Sequence, residues 1–520
     1  MQYYYSSSVI ILLLSCIITL PSLHSLNLPK VPSPKTLPNG LPELNLYDTS
    51  TSSLKPFTPL TPPFVKMYTC GPTVYAPAHI GNFRAFLTYD ILKRVLSRIY
   101  GFNVTHVLNL TDVDDKIIKK CRSENKTLKQ VTEKYTKIFK ADLHNLNVIP
   151  ADDYPLATSY IPEMVEMILK LKSVGKAYDD EDGWWFDVSE DDNYGKRLVN
   201  RKVESKEEGA ESADFALWKF EKPGIDVPTG LWDTELGRGR PGWHIECSAI
   251  AKKLLGEKID LHAGGVDLTF PHHENEAAQC AGVDGGEGWC GCWVHNGFVN
   301  VGGEKMSKSL NNFKTLEGSC PTRNMKRAYR WLVVSSHYRG ALTYTEESLE
   351  AAEGAIKRVD KLAKALDKVE VVGQSGGELG DVVEGARVKF YEAVSDDLKM
   401  PRAAAAMFDV VKAAEKEARK EGKDRDDVDL GFAKGVLLEF DEIFGIMYTP
   451  EAGEGEEEAE GAEEGGGGEE AGEDVWNLVE ARKAAKADKD WGEADRLRDE
   501  IKTMGWVVVD GKDGAQLEKV

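Results

Sequence analysis

Between residues 64 and 110 the spacing of apolar positions changes twice. FVKMYTC (64–70) alternates in part and is rich in strand formers, so it predicts a β-strand running into the turn CGPTVYAP. In HIGNFRAFLTYDILKRVLSRIYG, Phe83, Phe86, Leu87, Ile91 and Val95 recur at helical spacing, and Gly101 supplies a stop. VTHVLNL (104–110) is a second apolar strand. Strand, turn, helix, strand opens a doubly wound parallel α/β domain, whose ligands bind beyond the carboxyl ends of the strands. Residues 119–235 break the pattern with mixed, charged sequence, a helix near 160–174 and the Trp-rich piece GWWFDV, and read as an insertion. The α/β pattern resumes with the helix GWHIECSAIAKKLLG, the strand KIDLHAGG, a helix at PHHENE and the strand WVHNGFVNV. Residues 340–447 are helical and Ala/Leu/Lys/Glu-rich, as in AEGAIKRVDKLAKAL. A last module at 475–520 is predicted as one helix over 475–504 and a hairpin at GWVVVDGKDG.

Composition adds the divisions between these pieces. The 520 residues suffice for about three domains, and 42% apolar with 29% charged residues is a soluble globular make-up. The net charge of −21 is uneven, because residues 451–474 hold twelve acidic groups and no basic one. That Gly/Glu tract cannot bury a core, so residues 448–474 read as an acidic disordered linker. The remainder is mildly acidic and leaves room for a local basic face. Eight cysteines in a chain of this length do not make a disulfide framework. Cys290 and Cys292, with His295, offer a rival metal cluster, although C-x-C in a strand is more often packing. The apolar run VIILLLSCIITL (9–20) is too short to span a bilayer comfortably and is similar to a secretory signal core. The Pro/Ser/Thr-rich, acid-poor stretch after it is like a transit segment, so residues 1–43 read as a targeting leader and linker.

Three short segments offer phosphate chemistry. HIGN (79–82) lies at a strand-to-helix junction, where Gly81 lets an anion approach and His79 and Asn82 offer hydrogen bonds. KMSKS (305–309) follows a Gly-Gly turn and sets Lys305 and Lys308 three apart. HAGGVD (262–267) offers Gly265 in a glycine turn and Asp267 for a ribose hydroxyl. A fourth segment, FPHHENEAAQ (270–279), carries two histidines and two glutamates. His272 and Glu276 are four apart and share a helical face suited to one ion, unless they are simply the polar start of a helix.

HIGN followed by KMSKS resembles the class I aminoacyl-tRNA synthetases. The ordered set CGPTVY, HIGN, LNLTDVDDKI, GRPGWHIECSAIA, DLTFPHHENEAAQ and HNGFVNVGGEKMSKSLNNF closely resembles the cysteinyl-tRNA synthetase family, over about 44–450 and again at 475–510. The resemblance implies an α/β, Rossmann-like doubly wound catalytic domain over 44–339, a helical stem-contact and anticodon-side domain over 340–447, and a small C-terminal domain over 475–520. It implies zinc held by Cys70, Cys247, His272 and Glu276, with His273 and Glu274 in supporting roles. It also implies ATP with Mg²⁺ at His79, Gly81, Asn82, Gly265, Asp267 and Lys308, with Lys305 beside them, and L-cysteine against Thr73 and Trp243. The implied partner is tRNA(Cys), and the implied mature form is a monomer with no stable membrane association. Zinc–thiolate bonding would separate cysteine from serine without a proofreading domain.

RNMKRAYRWLVVSSHYR (323–339) offers Arg323, Lys326, Arg327, Arg330 and Arg339 among aromatics, a composition suited to RNA. Ala76, Asn311 and CGCW depart from the family pattern without removing a proposed ligand or lysine. Two other readings share these motifs: a ligase joining activated cysteine to a small amine, and a non-catalytic zinc and RNA-binding relative. The leader points to an organelle, a plastid reached by signal plus transit, with mitochondrion or cytoplasm as alternatives.

Overall fold

Four apolar strands frame the site: β1 (Phe64–Thr69), β2 (Asn103–Leu108), β3 (Ile259–Gly265) and β4 (Cys290–Asn296). The structure is a computed structural model that describes residues 40–199, 214–285, 288–301, 304–305, 314–447, 473–487, 490–504, 506–511 and 514–519. The four strands form one parallel sheet in the order β4-β3-β1-β2. Val65, Met67, Tyr68, Leu261 and Ala263 are all fully buried, as a parallel sheet covered on both faces requires. The chain moves from β1 to β2 on one side and later places β3 on the other. The topological switch therefore falls between β1 and β3, and a crevice opens beyond their carboxyl ends.

Three helices border that crevice: α1 (Ile80–Arg94), α2 (Trp243–Leu255) and α3 (Glu274–Asp284). α1 buries Phe83, Leu87 and Ile91 and continues through a wider turn at Val95–Ile99. The residues between β2 and α2 contain helices Leu128–Asn145 and Ile161–Ser173 and a five-stranded antiparallel sheet. That sheet leads straight into α2, where the Gly242 N–H donates to Leu217 O at 2.9 Å.

α4 (Arg323–Val334) leads into the helical region, whose long helices are Glu346–Ala365, Glu378–Ser395, Met400–Ala418 and Asp427–Phe444. Here the expectation of an RNA-facing basic helix is corrected for Arg327 and Arg330, which are buried. Arg330 is completely buried; its Nε donates to Phe444 O at 2.7 Å, its Nη1 to Leu146 O at 2.8 Å and its Nη2 to Asp90 at 2.6 Å. Arg327 donates to Ile446 O and is clamped on Asp360, while Lys326 pairs with Glu317 and Arg339 with Asp397. Of the five cations, Arg327 and Arg330 are buried and Lys326 is partly buried, while Arg323 and the Asp397-paired Arg339 are exposed. The reason is electrostatic: the carbonyls at the ends of helices Leu128–Asn145 and Asp427–Phe444 are acceptors that attract guanidinium as phosphate does.

The described residues from Glu473 onward belong to a second compact unit. It has two helices, Glu473–Ala487 and Trp491–Thr503, where one was expected; Asp490 caps the second by accepting from the Glu493 N–H. Trp506–Gly511 and Gly514–Lys519 pair as the expected hairpin. No helix among the described residues is long and apolar enough to cross a membrane.

Candidate active site and metal centre

Cys70 follows the last residue of β1 and stands at the mouth of the crevice. α2 brings in Cys247, and the turn into α3 brings in His272 and Glu276. The ligand atoms of these four buried residues lie within 4.8 Å of one another. Cys70 Sγ is 3.9 Å from Cys247 Sγ and 3.7 Å from Glu276 Oε1, and His272 Nε2 is 2.9 Å from Glu276 Oε1. Tetrahedral zinc, with bonds of about 2.0–2.3 Å, spaces its donors about 3.3–3.8 Å apart, so two thiols, an imidazole and a carboxylate in this arrangement fit the ion.

The surrounding histidines hold the donors in place. His272 Nδ1 lies 2.9 Å from His244 Nδ1, which leaves Nε2 on the side of Glu276. Glu276 Oε2 is bound by His262 Nε2 at 2.8 Å, and His262 stacks on Trp293 with centroids 4.8 Å apart. His273 Nε2 approaches Cys70 Sγ at 3.3 Å, while its Nδ1 meets His295 Nε2 at 2.8 Å, and His295 in turn bonds Thr49. Gly264 permits this approach, because a Cβ there would lie 2.4 Å from the His273 ring. Cys70, His262, His273 and Glu276 form a second donor group that shares two members with the first. The group with two thiols is the softer set and suits zinc better. Neither group includes Cys290 or Cys292.

Electrostatically the donors favour a cation. Hydrogen bonding from Cys70, against the effect of burial, draws the Cys247 thiol down to about 6. Burial would depress His272, but the charges of Glu276 and Cys247 outweigh it and lift the ring to about 10. Burial would raise Glu276, yet His262 and His272 hold it well below the ordinary carboxylate value. Burial keeps His295 at about 3. Ionised sulfur and carboxylate beside an imidazole are what a divalent ion binds, releasing protons as it does so.

The HIGN segment lies at the start of α1. His79 caps that helix: its Nδ1 accepts from the Asn82 N–H at 3.1 Å, and Asn82 Oδ1 accepts from the His79 N–H at 3.1 Å. A Cβ on Gly81 would lie 2.9 Å from His79 Nδ1, so glycine keeps the ring in this pose. Backbone pairing joins His79 to Thr315, and the Ile80 N–H donates to Lys314 O at 2.9 Å. The chain that emerges from KMSKS is thus tied to HIGN. Lys305 ends the short strand Glu304–Lys305, and Lys308 lies outside the described residues. Gly265 ends β3 with exposed Asp267 two residues on, at the same edge of the sheet. Thr73 is half-buried and pairs through its backbone with Thr111. The Trp243 ring stacks on His272, with centroids 4.3 Å apart, and is 41% exposed.

A family model described as the class I (C) tRNA synthetase catalytic domain matches residues 56–354. A DALR domain model matches 389–448, and a cysteinyl-tRNA ligase anticodon binding domain model matches 469–517. The cysteine–tRNA ligase of Methanococcus maripaludis (strain C6) is 36% identical over 506 residues, covering 92% of this chain and 99% of its own. That of Opitutus terrae is 41% identical over 495 residues, covering 91% and 99%. The chain belongs to the cysteine–tRNA ligase family. Its fold is also that of more distant synthetases. Mycobacterium tuberculosis methionyl-tRNA synthetase with methionyl-adenylate superposes with a TM-score of 0.51 at 14% identity, over 74% of this chain and 90% of that one. A LeuRS–tRNA–LeuAMS complex from Agrobacterium radiobacter K84 gives 0.56 at 11%, over 75% and 85%.

Within this cysteine–tRNA ligase family member, Glu274 serves the fold. Its carboxylate accepts from the backbone N–H groups of Gly195 and Leu198, at 2.8 and 2.9 Å, and anchors the insertion to α3. The buttressing roles of His244, His262 and His295 were not anticipated. All three lie in segments quoted for other reasons, and only the sheet register, which sets His262 beside Trp293, brings them together.

Proposed function

We propose that this chain is a cysteine–tRNA ligase that selects its amino acid through a zinc–sulfur bond. The observation that carries the reading is the convergence of Cys70, Cys247, His272 and Glu276 at the switch point of the sheet, beside the capped start of α1. Zinc held there would act as a Lewis acid that favours a thiolate over serine's harder, less acidic hydroxyl. Trp243, stacked on His272, walls the thiol site. The cysteine carboxylate oxygen attacks the α-phosphorus of ATP, and Mg²⁺-bound diphosphate leaves. A hydroxyl of the terminal tRNA ribose then attacks the acyl carbon, and AMP leaves.

With its Nδ1 accepting from Asn82, the neutral His79 ring carries its proton on Nε2, the form that donates to a phosphate oxygen. Asn82 is held in the same cap. Lys305 and Lys308 would meet the diphosphate from the loop whose exit pairs with His79, and Asp267 would take the ribose. Thr73 stands beside the amino acid. The mature chain acts as a monomer, with catalytic residues 44–339, helical residues 340–447 and the module after 475 serving tRNA(Cys). Residues 1–43 direct it to an organelle, a plastid first; imaging a fusion of residues 1–63 to a fluorescent protein tests that.

The function is tested by measuring zinc content, cysteine-dependent ATP–diphosphate exchange and charging of tRNA(Cys) on one preparation. All three are expected. Exchange without charging would replace tRNA by a small amine acceptor, and full activity in a zinc-free preparation would reject the metal.

A further inference from the structure

Beside the zinc-type cluster lies a cavity of about 380 Å³ lined by Asp114, Trp185, Arg240, Trp243, His244 and Glu246, among others. Glu246 is the residue that the chemistry above does not use. It is only 1% exposed, sits in the first turn of α2 and directly precedes Cys247. The contact the structure gives its carboxyl is with a neutral group: Thr111 Oγ1 donates to Oε2 at 2.9 Å. The two long cations that line the cavity are engaged elsewhere, Lys219 by Asp115 and Arg240 by Asp115 and Asp226. The free N–H groups at the start of α2, whose cap is the side-chain-less Gly242, favour an anion at this position. A buried carboxylate facing a cavity and held by one hydroxyl lacks the cation that would offset its desolvation.

We infer that Glu246 is the acceptor for the α-ammonium group of the amino-acid substrate, with Thr111 setting the angle of its carboxyl. The inference rests on the cluster being the thiol site. In cysteine, two carbons separate sulfur from the ammonium nitrogen. A ligand fixed by sulfur beside Cys247 therefore carries its positive charge within a few ångströms of the preceding side chain. The ammonium supplies the missing counter-charge, and binding joins two opposite charges away from water. Thr111 is itself fixed, since its N–H donates to Pro72 O at 3.2 Å and its carbonyl accepts from the Val74 N–H at 3.1 Å. The segment that carries Cys70 thus also positions the hydroxyl that holds Glu246.

The test compares two ligands that differ only in the ammonium group, L-cysteine and 3-mercaptopropionate. Each is titrated calorimetrically into the zinc-loaded full chain, as wild type, Glu246→Gln and Thr111→Val, with zinc content measured for each. Glu246→Gln is expected to weaken L-cysteine about 10- to 100-fold and to leave 3-mercaptopropionate within about twofold. Thr111→Val, which keeps the carboxylate but frees it, is expected to weaken L-cysteine alone, by about tenfold or less. Equal losses for both ligands would show a purely structural carboxyl and overturn the inference, as would unchanged cysteine binding. If Glu246→Gln loses zinc or fails to fold, Thr111→Val decides by the same comparison. A wild-type protein that binds both ligands equally refutes the ammonium site and leaves the thiol site standing. One that binds neither refutes the thiol site itself.

Discussion

Replacing Arg330 by alanine separates a structural clamp from an RNA contact. The guanidinium is completely buried and joins three elements: Asp90 on α1, Leu146 and Asn147 at the end of helix Leu128–Asn145, and Phe444 at the end of helix Asp427–Phe444. In Arg330→Ala, Asp90 keeps Arg94 Nε at 2.9 Å and the Ile149 N–H at 2.8 Å, so its charge is not fully stranded. Asn147 O keeps Arg94 Nη2, whereas Leu146 O and Phe444 O lose the donor that Arg330 supplied. Breaking one side of a buried pair costs about 3–5 kcal/mol, and partial retention at Asp90 favours the lower half of that range. The unit ending at Tyr448 has an unfolding entropy of about 0.8–0.9 kcal/mol/K, from ~2.1 cal/mol/K per residue. The melting temperature should therefore fall by about 3–5 °C if that unit melts as one. Arg323→Ala, at an exposed position, should move it by less than about 1 °C. Differential scanning calorimetry measures both, and tRNA affinity at several salt concentrations completes the comparison. If Arg330→Ala melted with wild type yet bound tRNA with a log-affinity salt slope shallower by about one, the clamp would be wrong and the RNA contact right.

Cys247→Ser should lower zinc affinity by well over the roughly 10- to 100-fold typical of a supporting residue, since it removes a thiolate donor; metal analysis after dialysis against a chelator reads this, and full retention would contradict the ligand set. Asp142, nine-tenths buried, is pushed up to about 7 from an ordinary 3.8, chiefly by burial. Folding therefore favours its neutral form, with stability complete below about pH 4 and lost as pH rises through 7. Asp142→Asn should accordingly stabilise the protein by up to about 4 kcal/mol at pH 8 and by little at pH 3–4; a gain independent of pH would refute the assignment. Gly81→Ala puts a methyl 2.9 Å from His79 Nδ1 and should slow ATP–diphosphate exchange about tenfold or more while melting within a few degrees of wild type; unchanged exchange would remove the reason for glycine there.

The frame of the fold was legible because burial imposes periodicity. β1 to β3 and α1 to α3 lie within a few residues of where the sequence puts them, α3 by its proline and acidic first turn and α1 by apolar spacing, whereas the one strand expected at WVHNGFVNV is two, β4 and Val299–Val301, in different sheets. The chemistry was legible only in part. Helical spacing sets His272 and Glu276 on one face, but nothing local says that Cys70 and Cys247, 177 residues apart, close the same site. That pairing came from resemblance to a family, and the sheet order explains it: β1 and β3 flank the switch point. Periodicity also failed to tell His272 from His273. Both rings are buried with Nδ1 held by another histidine, and they differ in which donor Nε2 meets, Glu276 or Cys70.

The misread arginines show where composition stops being informative. A row of guanidinium groups seeks oxygen acceptors that carry partial or full negative charge, and the carbonyls at a helix C-terminus qualify as well as phosphates do. Only tertiary placement decides between them. In this chain the acceptors are Leu146, Asn147, Phe444 and Ile446, and the consequence reaches the site. α4 follows directly on the segment that leaves KMSKS, and that segment pairs with His79 and Ile80, while Tyr329 on α4 bonds the Ile80 carbonyl. Arg327 and Arg330 therefore anchor both the exit of the lysine loop and the cap of α1 to the helical region. Two arginines from a pattern that looks suited to RNA instead hold the start of α1 and the segment at Lys314–Thr315 to the helical region.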